Sequence, residues 1–579
     1  MKFLLTAINA KYIHSNPAVY SLKAYAGEEF KEFIDIAEYT INQRMEEILA
    51  GIYEKKPDII AFSCYIWNWE IVQQLIEEIP KIMPEIPIWL GGPEVSFDGE
   101  NILKKYPQLT GIMTGEGEET FKELLNYYVN RNGEPGNIAG IVLKEGKTKE
   151  RELTDISKLP FLYEDTEKFQ NRIIYYESSR GCPYRCSYCL SSIDKKVRFR
   201  AIETVKRELQ FFLDQKVPQV KFIDRTFNCS HEHALAVWRY LLENDNGITN
   251  FHFEIEGDIL TEEEINILNR MRPGLVQLEI GVQSTNSETL KEINRFTDFS
   301  RLKKVVERIR EGKNIHQHLD LIAGLPFEDY NRFIRSFNDV YSLRPNQLQL
   351  GFLKVLQGSP MYDKVEEYGI RYMNKPPYEV LCTKWLSYQE VLYLKRIEEM
   401  VEMYYNSNQF THMLSVLELS FAHPFAMYEK LADFYRENGY FLNSPSRAYR
   451  YEALLHFACM ADGEKEELYK ELLTFDIYLR ENMKSRPSFS KELQSEEKKR
   501  IREFYTGEEE KPRYLKEYAG FHARQTSKMT HVELFHFPVW LEDGKEIVEG
   551  FSESGRYVLF DYKRWNPLNA EAAVHIIDE

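Results

Sequence analysis

The feature that most constrains this chain is an alternation of strand and helix that runs twice. Over residues 1–145, "KFLLTAI" (2–8), "DIIAFSC" (58–64) and "IPIWLGG" (86–92) read as buried strands. Between and after them, "AVYSLKAYAGEEF", "IVQQLIEEIPKI" and "ETFKELLNYYV" set apolar residues at helical spacing. Such alternation builds a parallel, doubly wound sheet. Residues 146–171 are charged, carry Pro160 and read as a linker. From 172 the alternation restarts with "RIIYYESS" (172–179), "QVKFID" (219–224), "FHFEIEG" (251–257), "LVQLEIGV" (275–282), "HQHLDLIAGL" (316–325) and "QLQLGFLKV" (347–355). Helical stretches at 201–215, 231–243, 261–270 and 328–342 separate them. Six βα units over 172–371 predict a barrel, either a partial (β/α)6 barrel or a full one, with its chemistry at the carboxyl ends of the strands.

The pattern changes in 372–579. "EVLYLKRIEEMVEMYYNSNQF" and "EELYKELLTFDIYLREN" predict amphipathic helices with aromatic faces, 486–513 is highly charged, and "ELFHFPVWL" with "GRYVLFDYKRW" reads as a short β-element. The expected class is therefore α/β, closed by a mostly helical C-terminal domain. A length of 579 residues suits about three such modules. The net charge of −17 argues against a sequence-independent grip on nucleic acid. No apolar run approaches the ~20 residues needed to span a bilayer, and no signal peptide opens the chain. Seven cysteines, three of them crowded together, make no disulfide framework. A reducing, anaerobic cytoplasm is the expected setting.

The crowded three are Cys182, Cys186 and Cys189 in "RGCPYRCSYCL", where the first barrel strand ends. A closed zinc site takes four protein ligands, and so does an ordinary cubane cluster. Three thiolates can hold three irons of a [4Fe–4S] cube and leave the fourth open to a ligand with an amine and a carboxylate. A zinc knuckle completed by a distant residue, or three unrelated thiols, are the bland alternatives.

"CPYRCSYC" resembles the C-x3-C-x2-C signature of the radical S-adenosylmethionine (SAM) superfamily. "FIDRTFN" (222–228), "EIEGDIL" (254–260), "EIGVQSTNSETLKEINR" (279–295), "DLIAGLPFED" (320–329) and "LKVLQGSPMY" (353–362) are similar to that family's successive core motifs. The resemblance implies that SAM chelates the open iron and is cleaved by one electron to a 5′-deoxyadenosyl radical, with flavodoxin or ferredoxin as donor. It places Tyr188 at the adenine, and Glu256, Gln283 and Ser284 at the ribose and methionine moieties. Arg295 falls to the SAM carboxylate, and Gly324 lets backbone approach the adenine. The family's "GGE" after the second strand is missing. "IDRTFN" stands there, with Asp224 or a backbone carbonyl left for the amino group. An ordinary barrel-core hydrogen bond is the competing reading for each polar residue.

In the first module, "SCYIWNWEIV" (63–72), "WLGGPEVSF" (89–97) and "TGEGEETF" (114–121) sit at strand ends, where doubly wound sheets bind ligands. Gly91, Gly92, Gly115 and Gly117 admit backbone close to a large flat ligand. No G-x-G-x-x-G follows the first strand, which argues against a dinucleotide site. The module instead resembles the cobalamin-binding domain of B12-dependent radical SAM enzymes, which adds Glu94 of "GGPEVSF" to the cofactor-binding residues. Tyr65 and Trp67 are expected against the corrin or in the core. The usual D-x-H-x-x-G loop is absent. His14 of "NAKYIHSNPAVY" is the nearest imidazole, and a loop role is favoured for it over cobalt ligation.

Residues 372–579 resemble a C-terminal extension of unknown function on B12-type radical SAM proteins, expected to close the barrel mouth. Cys64, Cys229, Cys382 and Cys459 are expected to be structural thiols. The expected reaction is methylation of an unactivated carbon or phosphorus of a small molecule, with cyclisation or rearrangement as the nearest variant. A methylthiotransferase would carry a second cluster on three N-terminal cysteines, and only Cys64 precedes the barrel. A cobalamin or redox sensor is the non-catalytic alternative.

Overall fold

The computed structural model describes residues 1–163, 166–443 and 445–578. Its first sheet has seven strands in the order β2-β1-β3-β4-β5-β6-β7. They are β1 Phe3–Asn9, β2 Ile34–Thr40, β3 Ile59–Ser63, β4 Ile88–Gly91, β5 Gly111–Met113, β6 Ile141–Leu143 and β7 Gly146–Lys147. The first five run parallel, β6 pairs antiparallel with β5, and β7 pairs antiparallel with β6. Both faces are covered, so β1 reads as an unbroken buried run, as parallel strands between helical layers do. The sequence reading lacked β2. That strand lies at the sheet edge, where only Ile34 and Ala37 are buried and its hydrophobic pattern is diluted.

The second alternation forms a six-stranded parallel sheet in the order β15-β14-β13-β12-β11-β8. Its strands are β8 Ile174–Tyr176, β11 Gln219–Phe222, β12 Asn250–Ile255, β13 Val276–Gln283, β14 His316–Ala323 and β15 Gln347–Phe352. Between the first two of these, a short antiparallel pair, β9 Ser179–Arg180 and β10 Arg198–Phe199, frames the cysteine loop. The sheet remains unclosed, with β8 and β15 as its edges. Phe222, Phe253, Leu278 and Leu319 point outward beneath the helices and are fully buried.

A two-stranded ribbon, β16 Arg371–Tyr372 and β17 Val380–Cys382, leads into the C-terminal region. That region is mostly helical around a tyrosine- and phenylalanine-rich core that is continuous with the barrel's outer layer. The long helix expected from 390 is Tyr388–Met400 followed by a π-helical turn, Val401–Asn406. The charged stretch contains the helix Ser495–Glu510. The terminal β-element is an antiparallel sheet of β18 Thr530–Phe535, β19 Arg556–Trp565 and β20 Ala572–Ile577.

Candidate functional site

The cysteine loop begins at Gly181, whose φ of +98° and missing Cβ let the carbonyl of Lys196 pass within 2.6 Å of where a Cβ would sit. Asp194 O then accepts from Cys182 N–H at 3.0 Å, and Ile293 O from Ser187 N–H at 2.9 Å, so the loop is pinned to both flanks. Cys182 and Cys186 are buried and Cys189 is half-buried. Arg295 reaches the loop with one arm, Nη1 to Cys186 Sγ at 3.8 Å. Its other arm pairs with Glu256 Oε2 at 2.6 Å and donates to Gly281 O. Burial pushes the Glu256 carboxyl up to about 7, against the opposing pull of Arg295. Among the described residues, no three His, Cys, Asp or Glu side chains gather at one-metal spacing. A tetrahedral zinc with bonds of about 2.3 Å would hold its sulfurs roughly 3.8 Å apart, whereas a cube spreads its thiolates over separate irons.

The other barrel residues divide. Gln283 ends β13 at a bulge with φ of +68°, its side chain lies over Gly281, and its Oε1 is buried without a partner. The Tyr188 ring packs among the apolar residues that include Leu325 and Met361. Ser284 donates to Glu328 at 2.7 Å within a buried Ser284–Glu328–Ser336 network, which is a barrel-wall role. Asp224 is fully buried and accepts from Ser178 N–H (2.9 Å), Ser178 Oγ (2.6 Å) and Ser179 Oγ (2.6 Å). Its carboxylate holds the start of the cysteine loop in place. A Cβ added at Gly324 (φ +92°) would lie 2.9 Å from the Val380 side chain of β17.

In the first domain the strand order reverses between β1 and β3, which opens a crevice at their carboxyl ends. Asn68, fully buried, donates to Ile8 O (3.0 Å) and Ser63 O (2.9 Å) and ties the two strands together there. Trp67 stands 43% exposed and stacks on Tyr65 at 4.3 Å between ring centres, so this pair is a surface platform and not core. Gly92 (φ +111°) is required by the backbone of Cys64, whose carbonyl lies 2.4 Å from an added Cβ. Gly91 meets Met113, its side chain and its carbonyl, at ordinary contact distance, and Gly117 opens the helix Gly117–Asn130 beside Leu22. Gly115 (φ +71°) has open space before it.

The ends of β1, β4 and β5 are joined to the barrel or to the ribbon that follows it. After β1, His14 Nδ1 lies 2.5 Å from the Tyr175 hydroxyl of β8, which ties that loop to the barrel. Glu94, beyond β4, accepts from the Tyr378 hydroxyl. After β5, Glu116 takes both arms of Arg198 at 2.7 and 3.0 Å, and Glu118 pairs with Arg180 at 2.9 Å. The crevice thus opens onto the cysteine loop and the strand ends of the barrel.

Residues 4–125 match the family model "B12 binding domain", and residues 176–340 match "Radical SAM superfamily". The chain carries a B12-binding domain followed by a radical SAM domain. Residues 366–560 of this radical SAM protein match "Protein of unknown function (DUF4080)". It is 25% identical over 361 residues to the cobalamin-dependent radical SAM methyltransferase TokK of Streptomyces tokunonensis, over 58% of this chain and 52% of that protein. It is 23% identical over 403 residues to 2-(S-pantetheinyl)-carbapenam-3-carboxylate methyltransferase of Streptantibioticus cattleyicolor, over 65% and 57% of the two chains. The chain therefore spans little more than half the length of these curated relatives. Its fold is similar to that of the methyltransferase TsrM of Kitasatospora setae (TM-score 0.54, 16% identity, 65% of this chain and 80% of that one). It is also similar to the cobalamin-dependent SAM radical enzyme OxsB (TM-score 0.54, 16% identity, 86% and 75%).

The fold family implies a [4Fe–4S] cluster, SAM and cobalamin, and the residues of this radical SAM protein fit all three. Thiols are the donors an iron–sulfur cluster takes. Beside them, Gln283 Oε1 and Arg295 Nε are buried without partners, and buried polar atoms in finished sites are paired. The Trp67–Tyr65 platform and the open space at Gly115 suit a flat ligand in the crevice. Sequence reasoning missed Asn68, Glu116, Glu118, Arg180 and Arg198. The one signal for Glu116 and Glu118 was their place beside Gly115 and Gly117 in "GEGEETF", and for Arg180 its place at the head of the cysteine loop.

Proposed function

We propose that this protein is a cobalamin-dependent radical SAM enzyme that methylates an unactivated carbon or phosphorus centre of a small molecule. The observation that carries the reading is the apposition of the two crevices, with His14–Tyr175, Glu116–Arg198 and Glu94–Tyr378 bridging them. A methyl donor in one crevice and a hydrogen-abstracting centre in the other would then face one substrate. When bound, the cluster with SAM supplies hydrogen-atom abstraction, and cobalamin supplies a transferable methyl group. The chain's own residues position the parts. Cys182, Cys186 and Cys189 hold the cluster, and Arg295 sets its charge beside Cys186. Gln283 and Glu256 offer polar atoms to SAM. Glu94, Tyr65, Trp67, Gly115 and the turn at Gly91–Gly92 shape the corrin crevice. Low-potential chemistry of this kind goes with a reducing cytoplasm and with flavodoxin or ferredoxin as electron donor. A methylthiotransferase is disfavoured because Cys64, the one cysteine before the barrel, is fully buried in the first sheet's core.

The test is anaerobic reconstitution with iron, sulfide and hydroxocobalamin, followed by desalting. Near-stoichiometric corrin retention together with SAM cleavage on reduction is the expected result. Cys182→Ala should lose the cluster and SAM cleavage while keeping the corrin. Normal cleavage in that variant overturns the cluster assignment. No corrin retention with an intact cluster overturns the methyl-transfer reading.

A further inference from the structure

At the end of β11, "FIDRTFN" stands where the family carries "GGE". Its residues are anchored on both sides of the cysteine loop. Asp224 holds Ser178 and Ser179. Phe227 is fully buried, its ring centre 4.4 Å from that of Phe253 and 5.2 Å from that of Phe222. Asn228, also fully buried, accepts from Glu256 N–H at 2.9 Å and donates to Glu256 O at 2.8 Å. Cys229 N–H closes the turn on Thr226 O at 3.1 Å. Thr226 stands between these anchors.

The Thr226 side chain meets the cysteine loop. Its Oγ1 lies 3.6 Å from Cys182 Sγ, within hydrogen-bond reach for sulfur. Thr226 is 7% exposed and Cys182 8%, so water competes little for the contact. The hydroxyl also lies 2.8 Å from Arg225 O, the carbonyl of its own neighbour. A thiol and a hydroxyl can each donate to the other, but a thiolate has no proton to give. A metal-bound cysteine is a thiolate. With Cys182 as a cluster ligand, the one proton in the contact is therefore that of Thr226. Arg295 makes the corresponding contact with Cys186 at 3.8 Å, but it is also committed to Glu256. Thr226 is the neutral group whose donor can be removed without stranding a buried charge.

Resting on the function proposed above, we infer that Thr226 is a positioning residue that raises the reduction potential of the cluster by donating its hydroxyl proton to the Cys182 thiolate. On reduction one electron arrives from an external donor, no bond breaks, and the proton stays on Oγ1. The added negative charge on the sulfurs strengthens the hydrogen bond, so the reduced form gains more from it than the oxidised form. Hydrogen bonds to the sulfurs are among the levers that set iron–sulfur potentials.

The test is a dithionite redox titration of the anaerobic full chain, reconstituted with iron and sulfide and free of SAM, read by the paramagnetic signal of the reduced cluster. Thr226→Val keeps the branched shape and loses the donor. Its midpoint potential should lie about 59 mV below wild type, a tenfold change in the one-electron equilibrium constant. Thr226→Ala, a second variant without the donor, should shift the same way, and Thr226→Ser should stay near wild type. Electron–nuclear double resonance adds a readout that packing alone does not move. A proton coupled to the reduced cluster and exchangeable in D2O should be present in wild type and Thr226→Ser and missing from the other two. The inference is overturned if all four proteins share one potential or if Thr226→Ser moves with Thr226→Val. It is also overturned if neither Thr226→Val nor Thr226→Ala holds a cluster, because the hydroxyl would then build the loop and not tune it. A wild type that takes up no cluster overturns the proposed function and this inference together. A cluster whose potential ignores the hydroxyl overturns this inference alone and leaves the proposed reaction standing.

Discussion

Arg295 bridges Glu256 and Cys186, with Nη2 2.6 Å from the carboxylate and Nη1 3.8 Å from the thiol sulfur. Both charged partners are buried, so the pair is held by geometry that water does not screen. Removing one partner of such a pair strands the other. Arg295→Ala should lower unfolding stability by about 3 kcal/mol or more, read by chemical denaturation. Arg295→Lys keeps the charge but not the planar fork that reaches three acceptors at once. It should recover only part of the loss, and full recovery would show that charge alone matters there.

Glu94 and Tyr378 give a pH dependence with a definite sign. Burial pushes the Glu94 carboxyl up to about 7, although the Tyr378 hydroxyl that donates to it pulls the other way. An acid whose pKa is raised on folding binds its proton more tightly in the folded state. Its contribution is fully present below the ordinary carboxylate range and is lost as pH rises through about 7. The melting temperature should therefore fall more between mildly acidic and mildly alkaline pH in the wild type than in Glu94→Gln. Parallel pH profiles for the two proteins would place the titration elsewhere.

The glycines of the first domain should separate by mutation. Gly92→Ala puts a Cβ 2.4 Å from the Cys64 carbonyl in a left-handed backbone conformation. Clash and strain together should cost about 2 kcal/mol or more. Gly115→Ala has open space before it and bears only the conformational penalty, about 1 kcal/mol. If Gly115 instead borders the corrin, its alanine variant should lose corrin retention out of proportion to its stability. Gly92→Ala should lose both together. Thermal melts beside corrin titrations distinguish the two patterns.

What could be read in advance follows from the range of the interactions. Three thiols within eight positions announce their chemistry locally, and six strand-like runs separated by helices leave few arrangements. Gly92 was legible as special, but its reason is the backbone of Cys64 on the neighbouring strand. Asp224 was legible as a buried polar group. That its partners are Ser178 and Ser179 depends on how β8 and β11 end side by side, which no spacing encodes. Glu116 and Arg198 lie 82 positions apart, and each alone looks like a solvated surface charge.

That last pair carries the remaining prediction. Glu116 accepts from Arg198 at 2.7 and 3.0 Å and from Thr154 N–H at 2.6 Å, and Arg180 stands 3.6 Å away. One carboxylate thus gathers the linker, the strand after the cysteine loop and the loop's own leading arginine. Burial alone would raise its pKa, but the arginines outweigh that and hold it below the usual range. Glu116→Gln keeps the shape and removes the charge, which leaves two half-buried guanidiniums without their shared anion. The first domain should then part from the barrel more readily, at a cost of about 2 kcal/mol. Trypsin should cut after Lys158 faster than in the wild type, while the cluster, held by other residues, stays intact. Unchanged cleavage would mean that Glu118–Arg180 and His14–Tyr175 suffice to hold the two domains together.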